Sequence, residues 1–383
     1  MYQRLLDHLV CPACATALEV DVFATQSGDG EQEIVEGLLR CARGEHGYPI
    51  VRAIPRLLPD AFETFRGEVQ RFDVSAATTA AREFIQHSLA ADAGGSAAYD
   101  RRTRESFSNE WEHHEVGDRT WGYNLEDRVD RYFLQSVHIP IEELDGKVML
   151  DAGCGNGSQS VAYTAFGLEV IAIDLSSGLE RGHEFRRKHP GARPDRVHFV
   201  QADLQHPPLP PSSVDLIHSA GVLHHTPDTK ATFRRLTPLV RPGGTCYIWV
   251  YKYERVVTPI VNTLRAVTTR LPPRQFAVLA RVAAEPFRLF CRLVDRLGVR
   301  SYRRLSRREA ALAVTDIFGA PFAHYHSIPE VEAWLKSEGF DETWPVNETR
   351  RGFGVCGRRT ENGPRLTQSH ERRGAQRLHD NCR

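Results

Sequence analysis

Between an apolar run at 148–150 and a helical pattern that begins near Ser158, the chain reads Asp151-Ala-Gly-Cys-Gly-Asn-Gly157. A short apolar run of that kind predicts a buried strand, so the glycines fall in a strand-to-helix turn. Glycines at alternate positions let the backbone turn sharply and bring its N–H groups against a ligand. Strand, loop and helix in this order indicate a nucleotide loop rather than an ordinary turn. The spacing narrows the ligand. A dinucleotide fingerprint needs Gly-x-Gly-x-x-Gly. Counted from Gly153 its last glycine falls on Ser158, and counted from Gly155 it falls on Ser160.

Acidic residues recur at the ends of the strands that follow. The run 168–173 reads as a strand with Asp174 at its C-terminal end. A doubly wound sheet places there the carboxylate that holds ribose hydroxyls, and two carboxylate oxygens accept from both hydroxyls together. A third strand, 197–200, leads into Gln201-Ala-Asp203-Leu204. A fourth, 213–218, leads into Ser219-Ala-Gly221-Val-Leu-His224-His225. An Asp after a strand is often only a cap or turn residue, but the ordered set is specific.

That set resembles class I S-adenosylmethionine (SAM) dependent methyltransferases of the ubiquinone/menaquinone-biosynthesis type. The likeness covers roughly residues 110–359. It implies an α/β fold, a doubly wound, Rossmann-like sheet of seven strands, mostly parallel with an antiparallel last strand. It also implies that SAM is held by Asp151, Gly153, Gly155, Gly157, Asp174, Leu175, Ala202, Asp203, Leu204 and Ser219. By the same resemblance Asp203 contacts the adenine amino group, Leu204 packs on the ring, and 219–225 lies beside the methionine end. An amphipathic helix at 232–240, stopped by Arg241-Pro-Gly-Gly244, and an apolar fifth strand at 246–251 continue the pattern. A last helix near 331–340 and a seventh strand near 352–357 complete it.

Residues 1–59 are organised differently. Cys11-Pro-Ala-Cys14 presents two thiolates on a tight knuckle, and Cys41 with His46 offers a second pair. Together they make the four ligands of a structural Zn²⁺, which leaves no open position for chemistry. The module resembles zinc ribbons found ahead of some bacterial methyltransferases, with a Cys-x4-His second knuckle in place of Cys-x-x-Cys. The alternative is a degenerate ribbon whose cysteines are small buried residues. Residues 60–106 read as a linker and helical segment, 107–359 as the methyltransferase domain, and 360–383 as a disordered polar tail. Trp121, Tyr123 and Arg131, ahead of the glycine loop, either fold over cofactor and substrate or cap the core.

Lys and Arg total 49, as do Asp and Glu, so net charge gives no reason to expect nucleic acid or a membrane. The average hides one segment. Residues 255–308 carry thirteen arginines against Glu285 and Asp295, a local net charge of +11, on a helical pattern rich in Leu, Val, Ala and Phe. A solvated helical lid is one account; an anionic membrane, a phosphorylated or lipid-linked substrate, and RNA are the others. The opening Met-Tyr-Gln-Arg-Leu-Leu-Asp has no basic n-region or long apolar run, and the cysteines cluster instead of framing disulfides. The reading is therefore a cytoplasmic chain without a transmembrane segment.

His224 and His225 are the catalytic candidates, since a neutral imidazole suits proton removal near pH 7. Paired histidines at such a place also serve packing and capping. His324, Tyr325 and His326 are comparable candidates. The function expected is methylation of a small or carrier-linked metabolite at oxygen, nitrogen or carbon, with an anionic substrate as one account of the arginine-rich segment. RNA methylation is the second reading, and Ser219-Ala-Gly-Val stands where an Asn/Asp-Pro-Pro-aromatic base-flipping motif would be. A non-catalytic SAM-binding or zinc-ribbon adaptor is the third, and the intact glycine loop with Asp174 and Asp203 argues against it.

Overall fold

The computed structural model describes residues 1–28, 31–90, 98–112, 119–296, 305–349 and 351–360. Residues 91–97 of the expected linker and 361–383 of the expected tail lie outside them. The strands are β1 (Leu18–Ser27), β2 (Gln32–Cys41), β3 (Gly47–Val51), β4 (Ile54–Leu57), β5 (Val148–Ala152) and β6 (Glu169–Asp174). They continue with β7 (Val197–Ala202), β8 (Val214–Ala220), β9 (Val240–Tyr251), β10 (Phe340–Val346) and β11 (Gly352–Arg359).

Among the described residues these form one 11-stranded sheet in the order β1-β2-β3-β4-β7-β6-β5-β8-β9-β11-β10. The expected seven-stranded sheet is the part from β7 to β10. Its β5 lies between β6 and β8 with all three parallel, and β11 runs antiparallel to β9. Successive residues of the central strands serve opposite faces, as a pleated sheet requires. Val170 and Ala172 of β6 pack with Phe133, Val161 and Tyr163 on one face. Ile171 and Ile173 pack on the other with Leu39, Ile50 and Leu57 from the N-terminal region.

That second cluster corrects the expectation of a ribbon standing ahead of the sheet. Strand β4 pairs parallel with β7, Arg56 opposite Gln201 and Leu57 opposite Ala202, so β1–β4 extend the same sheet. The join is also polar. Arg56 is fully buried, donates to Gln201 Oε1 at 3.0 Å and to Glu180 Oε1 at 2.7 Å, and lies over the Phe65 ring. Buried Glu33 of β2 accepts from Arg186 Nη2 at 2.6 Å on both oxygens, and from Gln26 at 2.9 Å.

Two local expectations change in detail. The helix at 125–137 forms, capped by the Asn124 side chain, but its middle, Asp130–Leu134, is a π-helical stretch. Arg241-Pro-Gly-Gly244 does not stop the helix Thr229–Leu236; a 3₁₀ turn, Thr237–Leu239, does. The glycines lie inside β9 instead. Val214 of β8 pairs with Val240 and Leu216 with Thr245, so β9 bulges there, and a Cβ on Gly244 would come within 2.7 Å of the Asp215 carbonyl.

Burial alone would raise the Glu33 carboxyl, but the hydrogen bond from Arg186 and neighbouring positive charge hold it down at about 2. A carboxylate depressed below its unfolded value stabilises the fold above that unfolded value, and the contribution is lost as pH falls through the folded one. Stability is therefore expected to fall between about pH 4.5 and pH 2. At pH 7, Glu33→Ala leaves the Arg186 guanidinium buried without its partner, at a cost of roughly 3 kcal/mol. Denaturant unfolding of the variant and of wild type across that pH range measures both effects.

Candidate active site

The chain leaves β5 through the glycine loop, with β6 and β7 to one side and β8 and β9 to the other. A crevice opens at the C-terminal ends of parallel strands where the order reverses in this way. A cavity of about 1760 Å³ occupies it, and Gly153, Gly155, Asp174, Leu175, Asp203 and Leu204 lie on its wall. Asp151, Gly157, Ala202 and Ser219 stand behind that wall. Asp151 accepts from Ser160 Oγ at 2.6 Å, and Ser219 Oγ donates to the Ala152 carbonyl at 2.9 Å. Gly157 packs beneath Phe199, and Ala202 pairs with Leu57 of β4.

The loop's amides are largely committed to the protein. Gly153 and Cys154 both donate to the Ile173 carbonyl, Gly157 donates to the Cys154 carbonyl, and Gly155 donates to Asp174 Oδ2 at 2.7 Å. What the loop offers a ligand is therefore close approach to bare backbone more than a set of free N–H donors. Trp111 already uses that space: a Cβ on Gly155 would meet its indole at 2.7 Å. The helix Ala98–Glu112 thus folds over the loop, and Trp121, Tyr123 and Arg131 join it on the cavity wall.

Among the carboxyl groups that line this space are Glu110, Asp174 and Asp316, from three separate elements. Asp174 also accepts from the Ser176 amide at 2.8 Å, and burial pushes its carboxyl up despite these bonds. Glu110 is raised well above the carboxylate range, by burial first and then by the charges of Asp316 and Asp174. Its Oε2 meets no hydrogen-bonding group among the described residues. The wall therefore offers carboxyl oxygens to hydroxyl and amino groups, and a neutral Glu110 carboxyl can donate as well as accept. Buried Arg128 balances it from the helix before the glycine loop, donating to Ser158 Oγ at 3.0 Å and Gln159 Oε1 at 3.3 Å.

Both candidate histidines line the cavity, in different states. His225 is fixed at both nitrogens, with Nδ1 2.8 Å from the Phe322 carbonyl and Nε2 3.0 Å from Asp316 Oδ1. A carbonyl only accepts, so Nδ1 carries a proton. The Tyr251 hydroxyl donates to the second oxygen of Asp316. His224 is fully buried, stacks on Tyr251 at 3.9 Å, and neither ring nitrogen meets a partner among the described residues. Burial, then the neighbouring histidines, hold it neutral by lowering its pKa well below the usual value. Of the later trio, Tyr325 reaches the cavity; His326 Nδ1 lies 3.2 Å from Glu330, and His324 meets the site through its backbone N–H on the His224 carbonyl.

Glu110, Arg128 and Asp316 were not singled out by the sequence reading. Asp316 lies 91 positions from His225 in the chain, and nothing in its local pattern sets it apart. Glu110-Trp111 at the end of a helix facing the loop was the available signal, and it reads equally well as a surface.

At the N-terminal end of the sheet, the ligand atoms of Cys11, Cys14, Cys41 and His46 all lie within 4.8 Å of one another. The first knuckle is closed by the Ala15 amide on the Cys11 carbonyl, the second by the His46 amide on Cys41 Sγ at 3.3 Å. Thiolates bound to one tetrahedral Zn²⁺ at about 2.3 Å stand roughly 3.8 Å apart, so the donor set fits that ion in number, chemistry and spacing.

Residues 150–248 match the family described as methyltransferase domain. The chain is 36% identical over 101 residues to 27-O-demethylrifamycin SV methyltransferase of Amycolatopsis mediterranei, covering 26% of this chain and 36% of that protein. It is 35% identical over 107 residues to ubiquinone biosynthesis O-methyltransferase of Xanthomonas euvesicatoria pv. vesicatoria, covering 28% and 44%. It is 34% identical over 99 residues to malonyl-[acyl-carrier protein] O-methyltransferase of Yersinia pestis, covering 26% and 34%. The chain thus spans less than half the length of these relatives. A solved SAM-dependent methyltransferase from Aquifex aeolicus aligns with 61% of this chain and 92% of its own at 17% identity, with a TM-score of 0.36, too loose to add to the strand order.

Proposed function

We propose that the protein, whose residues 150–248 match a methyltransferase-domain family, transfers a methyl group from SAM to an oxygen, nitrogen or carbon of a small or carrier-linked metabolite. The observation that carries this reading is the convergence of the glycine loop, Asp174 and Asp203 on one cavity where the strand order reverses. The carboxyl-lined wall supports SAM as the ligand, and Glu110 Oε2 is a buried polar atom without a partner among the described residues. The relatives named as O-methyltransferases of ubiquinone biosynthesis and of a malonyl-carrier protein support the substrate class.

SAM supplies an electrophilic methyl group, so the protein's task is placement and exclusion of water. Asp174 accepts ribose hydroxyls, and Leu175 and Leu204 flank the base. Asp203, already accepting from Gln205, retains lone pairs for the adenine amino group. Trp111, Trp121 and Tyr123 shut water from the loop side. His224 takes the acceptor's proton on a free ring nitrogen, while the Asp316–His225 contact fixes the neighbouring backbone. Zn²⁺ at Cys11, Cys14, Cys41 and His46 is structural, holding the two knuckles at the sheet end. Thiolate ligands of this kind suit the reducing cytoplasm.

Calorimetry should give SAM binding by wild type and an affinity roughly tenfold to a hundredfold lower in Asp174→Ala. Unchanged affinity in that variant, or preferential binding of NAD, overturns the assignment. Zinc should copurify at one ion per chain from cells given no added metal. A Cys11→Ser/Cys14→Ser protein that keeps its zinc would place the ion elsewhere.

The lowered pKa of His224 sets a pH signature. The neutral ring is the working form, so activity should persist as pH falls through about 6.5, the ordinary histidine value, and decline only below it. With an acceptor isolated from cell extract using labelled SAM, His224→Ala should lower kcat by about 10²–10³ and leave SAM affinity intact. An inflection near 6.5 that disappears in the variant would show that His224 titrates normally and is not this group.

A further inference from the structure

The basic insert is helical where it is described, and its two helices are apolar on faces that nothing among the described residues covers. On Val257–Thr268, the residues Val257, Ile260, Leu264 and Val267 recur every three or four positions and are exposed. On Pro273–Arg296, Val278, Val282, Leu289 and Leu293 make a second exposed stripe. The opposite face of this helix is the one the fold uses, with Phe276, Ala280, Ala284 and Cys291 buried. A helix apolar on two faces has one face left for something other than its own protein or water.

The charge beside the stripe is of one sign. Arg274, Arg281, Arg288 and Arg292 follow one another at helical spacing along its edge. Across 255–296 eight arginines face two acids, a net charge of +6. Arg265 is spent inside, donating to the Ile317 and Ala320 carbonyls, and Arg288 pairs with Glu285. The patch is also continuous with the cavity. Ile260, Leu264 and Phe290 line the cavity and are nevertheless 58%, 51% and 60% exposed, so the mouth opens through the apolar surface.

We propose that these two helices lie on the surface of an anionic phospholipid bilayer, with the cavity mouth against the lipid. Apolar side chains enter the acyl boundary while the arginine edge meets lipid phosphates, the division of labour of interfacial helices. Among the described residues no helix is long and apolar enough to cross the membrane, so the contact lies along the surface. A second copy of the chain fits less well, because a two-fold interface would set one arginine edge against another. RNA would use the arginines and leave the apolar stripe in water. A mouth held against lipid admits an acceptor with an apolar tail directly from the bilayer. This last step, the substrate class, rests on the methyl-transfer reading; the bilayer contact does not.

Flotation of the full chain with vesicles of phosphatidylcholine alone and mixed with phosphatidylglycerol tests the contact. The mixed vesicles should retain at least about tenfold more protein, with retention falling as salt rises. Val282→Asn/Leu289→Asn/Leu293→Asn and, separately, Arg274→Gln/Arg292→Gln alter exposed positions, and each should lower retention about tenfold while SAM calorimetry stays at the wild-type value. Equal binding to neutral vesicles, retention unchanged in both variants, self-association without vesicle binding, or a gel shift with total RNA in place of flotation would each overturn the proposal. Absence of SAM binding by wild type would instead remove the methyl-transfer reading and leave the flotation result standing. With SAM bound, label transferred in a membrane extract should enter the organic phase; label found only in aqueous products would overturn the lipid-acceptor step.

Discussion

Strand β5 has neither a face nor an edge left for water. Parallel neighbours hold both its edges, and Met149 and Leu150 are buried in the clusters on opposite faces. The chain can leave it only at its end, into the crevice. Everything proposed for the site follows from that exit: the glycine loop, the Asp174 contact with Gly155, and the cover provided by Trp111. The loop is short on side chains because its neighbours on every side are already in place.

The repeating βα units were legible because each strand end carries its own local signature. Glycine spacing, an acidic residue and an apolar run are all read within a dozen residues, and β5 to β9 appear where the pattern places them. Pairings between distant segments carry no such signature. Four residues, Ile54–Leu57, read as the tail of a ribbon, and only the partner strand β7 makes them part of the main sheet. Arg241-Pro-Gly-Gly244 has the composition of a helix stop, but the Asp215 carbonyl across the pair turns it into a bulge. Among the candidate site residues Asp174 and Asp203 were readable from position, whereas Asp316 is set apart only by what His225 and Tyr251 place beside it.

Composition was uninformative for a physical reason. Equal numbers of acids and bases average to zero, yet the structure separates them. Glu110, Asp174 and Asp316 converge inside the cavity, where burial makes Glu110 and Asp174 costly to ionise, and the arginines of the insert gather outside it. Field and net charge are different quantities, and a neutral protein can present an acidic interior behind a basic surface.

The pairing of β4 with β7 has a consequence for how this chain can be cut or inherited. Residue 59 looks like a seam in the sequence, but the fold has none there, since one sheet and one apolar cluster pass through it. A fragment beginning after β4 would uncover β7, a fully buried strand, and leave its Gln201–Ala202 end as a raw edge without the pairing from Arg56 and Leu57. Such an edge recruits other chains. The first four strands therefore act as a selvedge, the woven border that keeps a cloth from unravelling, and the sheet cannot be trimmed to its sequence motif without one.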